Sequence, residues 1–263
     1  MEALHGYRTV RFARGHTSDQ TEQVLIERPL QVVLNGTPFA VLMHTPGWER
    51  ELVLGLLLNE GLIYASQIPE IQFNTNAESL DRIAVTVPGL NPNDVANKRA
   101  LLSATSCGIC GTRELDIPEG DALPSAGLSP DLLPSLHAQM RAHQPLFDQT
   151  GGSHAAALFD AGGNLLVLAE DAGRHNATDK AIGRLLDRGV LSKAHYLALS
   201  GRVSYELISK AFRARIPVVA SVSAPTSMAV DFALEWGIAL LAFAVKAASL
   251  GLRSSAQGCT FRG

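Results

Sequence analysis

The sequence predicts an α/β protein, a mixed sheet with helices on both faces, with a smaller N-terminal α+β part. Three observations carry this. From residue 155 onward, short apolar runs alternate with helix-length amphipathic stretches, the rhythm of strands joined by helices. Before that, two apolar runs flank Asn35-Gly36, a hairpin signal, and one helical stretch follows. Finally, 46% of the 263 residues are hydrophobic and 18% charged, so a large dry core can form and disorder over the bulk of the chain is excluded.

The elements follow in order. Residues 1–26 are polar and read as a flexible arm. Gln31 to Leu34 and Phe39 to Met43 are the hairpin strands. Thr45-Pro46 offers an N-cap and a residue suited to the first helical turn. The helix behind it carries Leu52, Val53, Leu56 and Leu57 on one face, and Gly61 is placed to end it. Asn74 to Gly120 is rich in Gly, Pro, Asn and Ser, with a strand-like piece at Ile83 to Val87. The N-terminal part is thus 27–120. An α/β domain over 121–246 opens with a helix ending at His143, with Leu133, Leu136 and Met140 on one side. Strands then fall at Ala155 to Phe159, Leu165 to Ala169, Tyr196 to Leu199, Val218 to Val222 and Ile238 to Phe243. Helices fall at Asn176 to Arg188, Val203 to Arg215 and Thr226 to Trp236. Residues 247–263 form a tail.

Bulk properties remove several function classes. A net charge of -3 gives no basic excess to drive binding to a phosphate backbone, so no nucleic-acid partner is expected. The longest apolar stretch, Gly237 to Val245, is too short to span a bilayer, and Met1 to Gly15 lacks the apolar segment of a secretory signal. A cytoplasmic protein without membrane association is expected. There, three cysteines do not make a disulfide framework.

Two of them form Cys107-Gly108-Ile109-Cys110. Half a zinc site is one reading, but no second pair exists, Cys259 stands alone, and no His has Glu two residues on as in zinc deaminases. No metal is expected. A thioredoxin-type redox pair is another, but such pairs open a helix that lowers the thiol pKa, and no amphipathic helix follows here. The third is a sulfur carrier: a cysteine flanked by Gly108 and Gly111 in a loop accepts a persulfide and passes it on. The bland alternative is two incidental loop cysteines.

Three loops lie between a strand's carboxyl end and a helix's amino end: Glu170 to Asn176, Ser200-Gly201-Arg202, and Ser223-Ala224-Pro225-Thr226-Ser227. In a parallel sheet these share the edge where ligands bind. Helix N-termini offer free N–H groups and partial positive charge, and Arg174 and Arg202 add full charges. Arg174, His175, Ser200, Arg202, Ser223 and Thr226 are therefore expected to bind a phosphate-bearing ligand. Ordinary helix capping explains any one loop, but three loops with two arginines less well. His154, after Thr150-Gly151-Gly152-Ser153, is open between a buried hydrogen-bonder and a functional group.

These residues, with Glu27-Arg28-Pro29-Leu30, Thr45-Pro46-Gly47, Asn59-Glu60-Gly61, Thr150-Gly151-Gly152-Ser153-His154-Ala155-Ala156-Ala157 and Glu170-Asp171-Ala172-Gly173-Arg174-His175-Asn176-Ala177-Thr178-Asp179-Lys180, form a string that resembles the FdhD/NarQ family of formate dehydrogenase accessory proteins, over about Glu27 to Phe243. The resemblance implies a fold like that of the cytidine deaminases without their zinc ligands. It implies a sulfurtransferase with a catalytic Cys107–Cys110 pair and the persulfide on Cys107. It also implies a cysteine desulfurase as donor, Mo-bis(molybdopterin guanine dinucleotide) as bound acceptor, a formate dehydrogenase apo-enzyme as recipient, and a homodimer.

The chain departs from the family pattern at its end. The family's Phe-x-Arg-Gly-x-Arg stretch, assigned to cofactor binding, is here Phe243-Ala244-Val245-Lys246-Ala247-Ala248. Phe243 matches, and Lys246 or Arg253 is left to replace the arginines. A non-catalytic chaperone for the molybdenum cofactor or the apo-enzyme is the alternative function.

Overall fold

The computed structural model describes residues 2–13, 15–74, 81–91, 120–124, 126, 132–243 and 250–252. The chain opens with a ribbon, β1 (Leu4–Ala13) and β2 (His16–Leu25), antiparallel and in unbroken register from Leu4↔Leu25 to Ala13↔His16. This differs from the expected loose arm. Period-two patterning marks a strand only when one face is buried. Here Tyr7 on one face and Val10 and Phe12 on the other are all exposed, so the pattern is absent although the pairing is complete.

β3 (Arg28–Leu34) and β4 (Thr37–His44) form the expected hairpin. Asn35 and Gly36 have φ of 47° and 83°, the two positive values that a type I′ turn needs. The Asn35 amide also accepts the Val87 N–H and donates to the Val87 and Leu90 carbonyls. α1 (Glu49–Asn59) starts later than Thr45-Pro46 predicts, with Trp48 as its N-cap in the left-handed region; Thr45 serves a tertiary contact instead. β5 (Glu70–Asn74) and β6 (Asp81–Thr86) complete a four-stranded sheet of order β4-β3-β6-β5.

Then come α2 (Leu133–Ala142), α3 (Pro145–Thr150), β7 (His154–Phe159), β8 (Leu165–Asp171), α4 (Arg174–Asp187), β9 (Tyr196–Leu199), α5 (Tyr205–Arg213), β10 (Val218–Ser221), α6 (Ser227–Trp236), β11 (Ala239–Ala242) and β12 (Leu250–Leu252). The main sheet has the order β12-β11-β10-β9-β7-β8. β9, β10 and β11 are parallel, and β7 is antiparallel to both β8 and β9, so β8 to β11 all point one way. β12, within the tail, adds an antiparallel edge strand beside β11.

The mixed sheet with helices on both faces is as predicted. Alternate strand residues face opposite sides. Ala156, Leu158, Leu197, Leu199, Val219 and Leu240 join one core with α1, α4, α5 and α6. The inner face of the small sheet, Leu30, Val32, Leu34, Ile83 and Val85, belongs to this same core. On the other side Ala157, Phe159, Tyr196, Ala198, Val218 and Ala220 pack with Leu133, Leu136 and Met140 of α2.

The two parts meet where α1 crosses α4, and two glycines permit it. A Cβ on Gly55 would lie 2.0 Å from the Asp179 carbonyl oxygen, and one on Gly183 would lie 1.8 Å from the Glu51 carbonyl oxygen. The helices therefore touch backbone to backbone, and neither obstacle is a side chain that could swing away. Gly183→Ala is expected to destabilise the fold by about 3 kcal/mol or more, since overpacking a backbone contact forces the helices apart. Gly152→Ala, whose Cβ would meet only ordinary contacts of 3.6 Å and beyond, is the control expected to stay near wild type in urea unfolding.

Candidate functional site

The loop Glu170 to Asn176 is one of the three expected ligand loops, and the run continues through the first turns of α4 to Lys180. Most of it bonds inward. The Glu170 carboxylate accepts the Leu146 and Phe147 N–H groups at the start of α3 and the Ser153 hydroxyl. Asp171 is fully buried. Its carboxylate pairs with Lys180 Nζ at 2.7 Å and accepts the N–H of Thr45 and of Gly173 and the Asn176 amide. Lys180 also donates to the Thr45 carbonyl at 2.7 Å, and the Thr45 hydroxyl accepts the Ala172 N–H. Asn176 reaches the Met43 carbonyl.

A second buried set lies one turn on, where Lys210 and Asn59 each donate to Asp179 Oδ1 at 2.5 Å. Burial pushes the Asp179 carboxyl up, and Lys210 opposes this. These groups fasten the small sheet and α1 to the main sheet.

The remaining residues stand at the edge where β8 to β11 end. Two of the expected ligand residues have protein partners here. Ser200 Oγ accepts the Ala155 N–H at 2.8 Å. Thr226 caps α6, its hydroxyl accepting from the Ala229 N–H. Ser223 gives its N–H to Ser221 Oγ, and the Ser221 hydroxyl donates to the Gly201 carbonyl at 2.6 Å. A short parallel bridge, Val203 to Pro225, pins these two loops together. The loops are thus held in place by their own hydrogen bonds.

Arg174, His175 and Arg202 remain. Arg202 is exposed. Arg174 is half-buried, and its Nε is shielded from solvent without a hydrogen-bond partner among the described residues. His175 Nε2 is likewise shielded and faces the Glu206 carboxylate, its Oε2 at 3.7 Å. The His175 imidazole first, and Ser204 after it, hold the Glu206 carboxyl well below the usual carboxylate range against the opposing effect of burial.

His154 joins them. It is the first residue of β7, and β7 runs against its neighbours, so its start lies at the edge where theirs end. A Cβ on Gly201 would be 3.3 Å from the His154 ring and 3.9 Å from the Arg174 side chain, so glycine lets the loop lie against both. Burial, then Arg174 and His175, hold the His154 imidazole below its ordinary pKa, with Asp171 opposing. Phe243 directly follows β11 at the same edge, half-buried and with φ of 55°, a strained value for an aromatic residue. Cys107, Cys110 and Lys246 lie outside the described residues. Among those described, no group of three or more His, Cys, Asp or Glu is arranged to hold a metal ion, and no helix is long and apolar enough to cross a membrane.

The sequence profile of the FdhD/NarQ family matches residues 25–249. The chain belongs to the FdhD/NarQ family. Its curated relatives in that family carry the name sulfur carrier protein FdhD. The one from Streptomyces avermitilis is 40% identical, with 90% of this chain and 89% of the relative covered. The one from Mycobacterium tuberculosis is 40% identical over 90% and 94%, and the one from Sulfolobus acidocaldarius 38% over 87% and 88%. A solved structure from Desulfotalea psychrophila, provisionally assigned as a formate dehydrogenase accessory protein, is 22% identical. It covers 97% of this chain and 99% of its own, with a TM-score of 0.74, and so shares the fold. The profile starts at residue 25, so it leaves the β1–β2 ribbon outside.

The buried pair yields a test. Lys180→Met strands the Asp171 carboxylate without its counter-charge, and a loss of about 3–5 kcal/mol of stability is expected. Adding Asp171→Asn to that variant should recover part of it, read as the difference between the two urea midpoints.

Proposed function

We propose that this chain is a sulfur carrier for formate dehydrogenase maturation, a sulfurtransferase that works through a persulfide on Cys107. The Cys107 thiolate attacks the terminal sulfur of a cysteine desulfurase persulfide. A new S–S bond forms to Cys107 as the donor's S–S bond breaks, and the donor cysteine leaves as its thiolate. The sulfur is then delivered to Mo-bis(molybdopterin guanine dinucleotide), which is cargo, before a formate dehydrogenase apo-enzyme receives it. Cys110 is the second thiol of the pair, and the working form is a homodimer.

One observation carries the reading: the strand edge gathers Arg174, Arg202 and His175, while Asp171 is already taken up by Lys180 and three other donors. Uncommitted positive charge and shielded N–H donors at strand ends suit the phosphates of a dinucleotide tail. Arg202 holds an oxygen pair of a phosphate through its guanidinium fork. Ser200, Ser223 and Thr226 act there by fixing the loops. Phe243 lies at that edge, and Lys246 follows it in the chain and contributes a cation.

Two outcomes test this. Incubation with a desulfurase and cysteine should add one sulfur atom per chain to the wild type, read as intact mass, and none to Cys107→Ala. Equal loading of the variant moves the persulfide elsewhere, and no loading of either leaves the chaperone function. In a titration with GDP, Arg202→Ala should bind more weakly by roughly 1.5–3 kcal/mol, about tenfold or more. Equal affinity in a variant with an unchanged circular dichroism spectrum makes Arg202 a surface residue.

A further inference from the structure

We propose that His154 contacts the ligand at the strand edge, and that with Arg174 and His175 it forms the floor on which a phosphate or diphosphate group seats. The proposal rests on the reading that a phosphate-bearing ligand occupies this edge, and it adds a residue and a proton to that reading.

Position comes first. β7 lies between β9 and β8 in the sheet. The register sets His154 opposite Asp171 on one side, and Ala156 opposite Leu199 on the other. His154 therefore sits between the loop that carries Arg174 and the loop that carries Gly201. The bare Gly201 backbone lies against the imidazole, so a ligand reaching the loops meets this ring at their centre.

Charge comes second. From the end of β8 comes Asp171, from the first turn of α4 Arg174 and His175, and from its next turn Asp179 and Lys180. The loop after β9 adds Arg202, and α5 adds Glu206 and Lys210. Asp171 and Asp179 are each ion-paired with a buried lysine. Glu206 faces His175. Among the described residues Arg174 and Arg202 have no carboxylate partner, and the Nε of Arg174 has no protein acceptor. Phosphate oxygens accept from such donors.

Burial first, then Arg174 and His175, lower the His154 pKa in the free protein, with Asp171 opposing. A bound phosphate dianion reverses that balance. The ring then takes up a proton and donates to a phosphate oxygen, so binding is linked to protonation of one side chain.

The experiment is calorimetric titration of GDP and of inorganic pyrophosphate onto wild type, His154→Gln and Arg202→Ala. It is run at about pH 6 and about pH 8, on either side of the imidazole range, in buffers of different ionisation enthalpy to count protons. The wild type should bind both ligands, more tightly at the lower pH. His154→Gln should bind about tenfold or more weakly at the lower pH and take up fewer protons. Titration of the ligand's own phosphate is common to both proteins and cancels in that comparison.

Wild-type affinity and wild-type proton count in His154→Gln would overturn the proposal while leaving the phosphate reading intact. Absence of binding by the wild type to either ligand would overturn both. Should the variant fail to fold, diethyl pyrocarbonate labelling of wild-type His154, located by peptide mass, replaces it. Protection by GDP supports the contact, and an unchanged labelling rate overturns it.

Discussion

Everything else in this fold depends on α1 and α4 lying backbone against backbone. Gly55 and Gly183 remove the only atoms that would hold the helices apart. The close approach lets Asn59 reach Asp179 and sets Glu51 against Arg184. Next to it, the β4–α1 connection brings Thr45 to Asp171 and Lys180. A side chain at either glycine would separate these polar partners while leaving them buried, which costs more than the contacts gain. The crossing and the ion pairs are therefore one constraint. It fixes α4, whose first turn carries Arg174 and His175 at the ligand edge.

That coupling explains what the sequence could and could not disclose. The strands Tyr196–Leu199 and Val218–Ser221 are legible because they are short, fully buried apolar runs between helix-length stretches. The hairpin turn is legible because Asn35-Gly36 is a chemical requirement of positive φ. The ribbon is not, because no face of it is buried. β5 and β12 are not, because a five-residue and a three-residue strand carry too little pattern to rise above their surroundings.

The site was legible at the level of its edge and not of its members. Strand-to-helix loops at the carboxyl ends of parallel strands announce themselves, and Arg174, His175 and Arg202 do stand there. Ser200 and Thr226 share the same loops but accept the N–H of Ala155 in β7 and of Ala229 in α6, so each has a protein partner, and only Thr226 is a helix cap. His154 was left open because its place depends on β7 running against its neighbours. That direction is a property of sheet order, and no local pattern around Thr150 to Ala155 encodes it. Glu206 was missed for a related reason: its partner, His175, lies on another helix.

A chain with a net charge of -3 can still present a cationic edge. At physiological salt the Debye length is about 8 Å, so a ligand in the crevice responds to charges within a few side chains and hardly to the rest of the surface. Among the described residues the acidic groups near the crevice already face partners, Glu206 among them, opposite His175. Asp171 and Asp179 face lysines in the interior, and Glu170 holds the start of α3. The carboxylates of this block thus serve the joint between the two parts of the fold and, among the described residues, leave Arg174 and Arg202 without a carboxylate at its rim. A single eleven-residue run does both because it passes from a strand end into a helix, whose 3.6-residue period brings Asn176, Asp179 and Lys180 to the inner face and leaves Arg174 and His175 at the edge. The inward residues set the rigidity of the edge, and the outward ones set its charge.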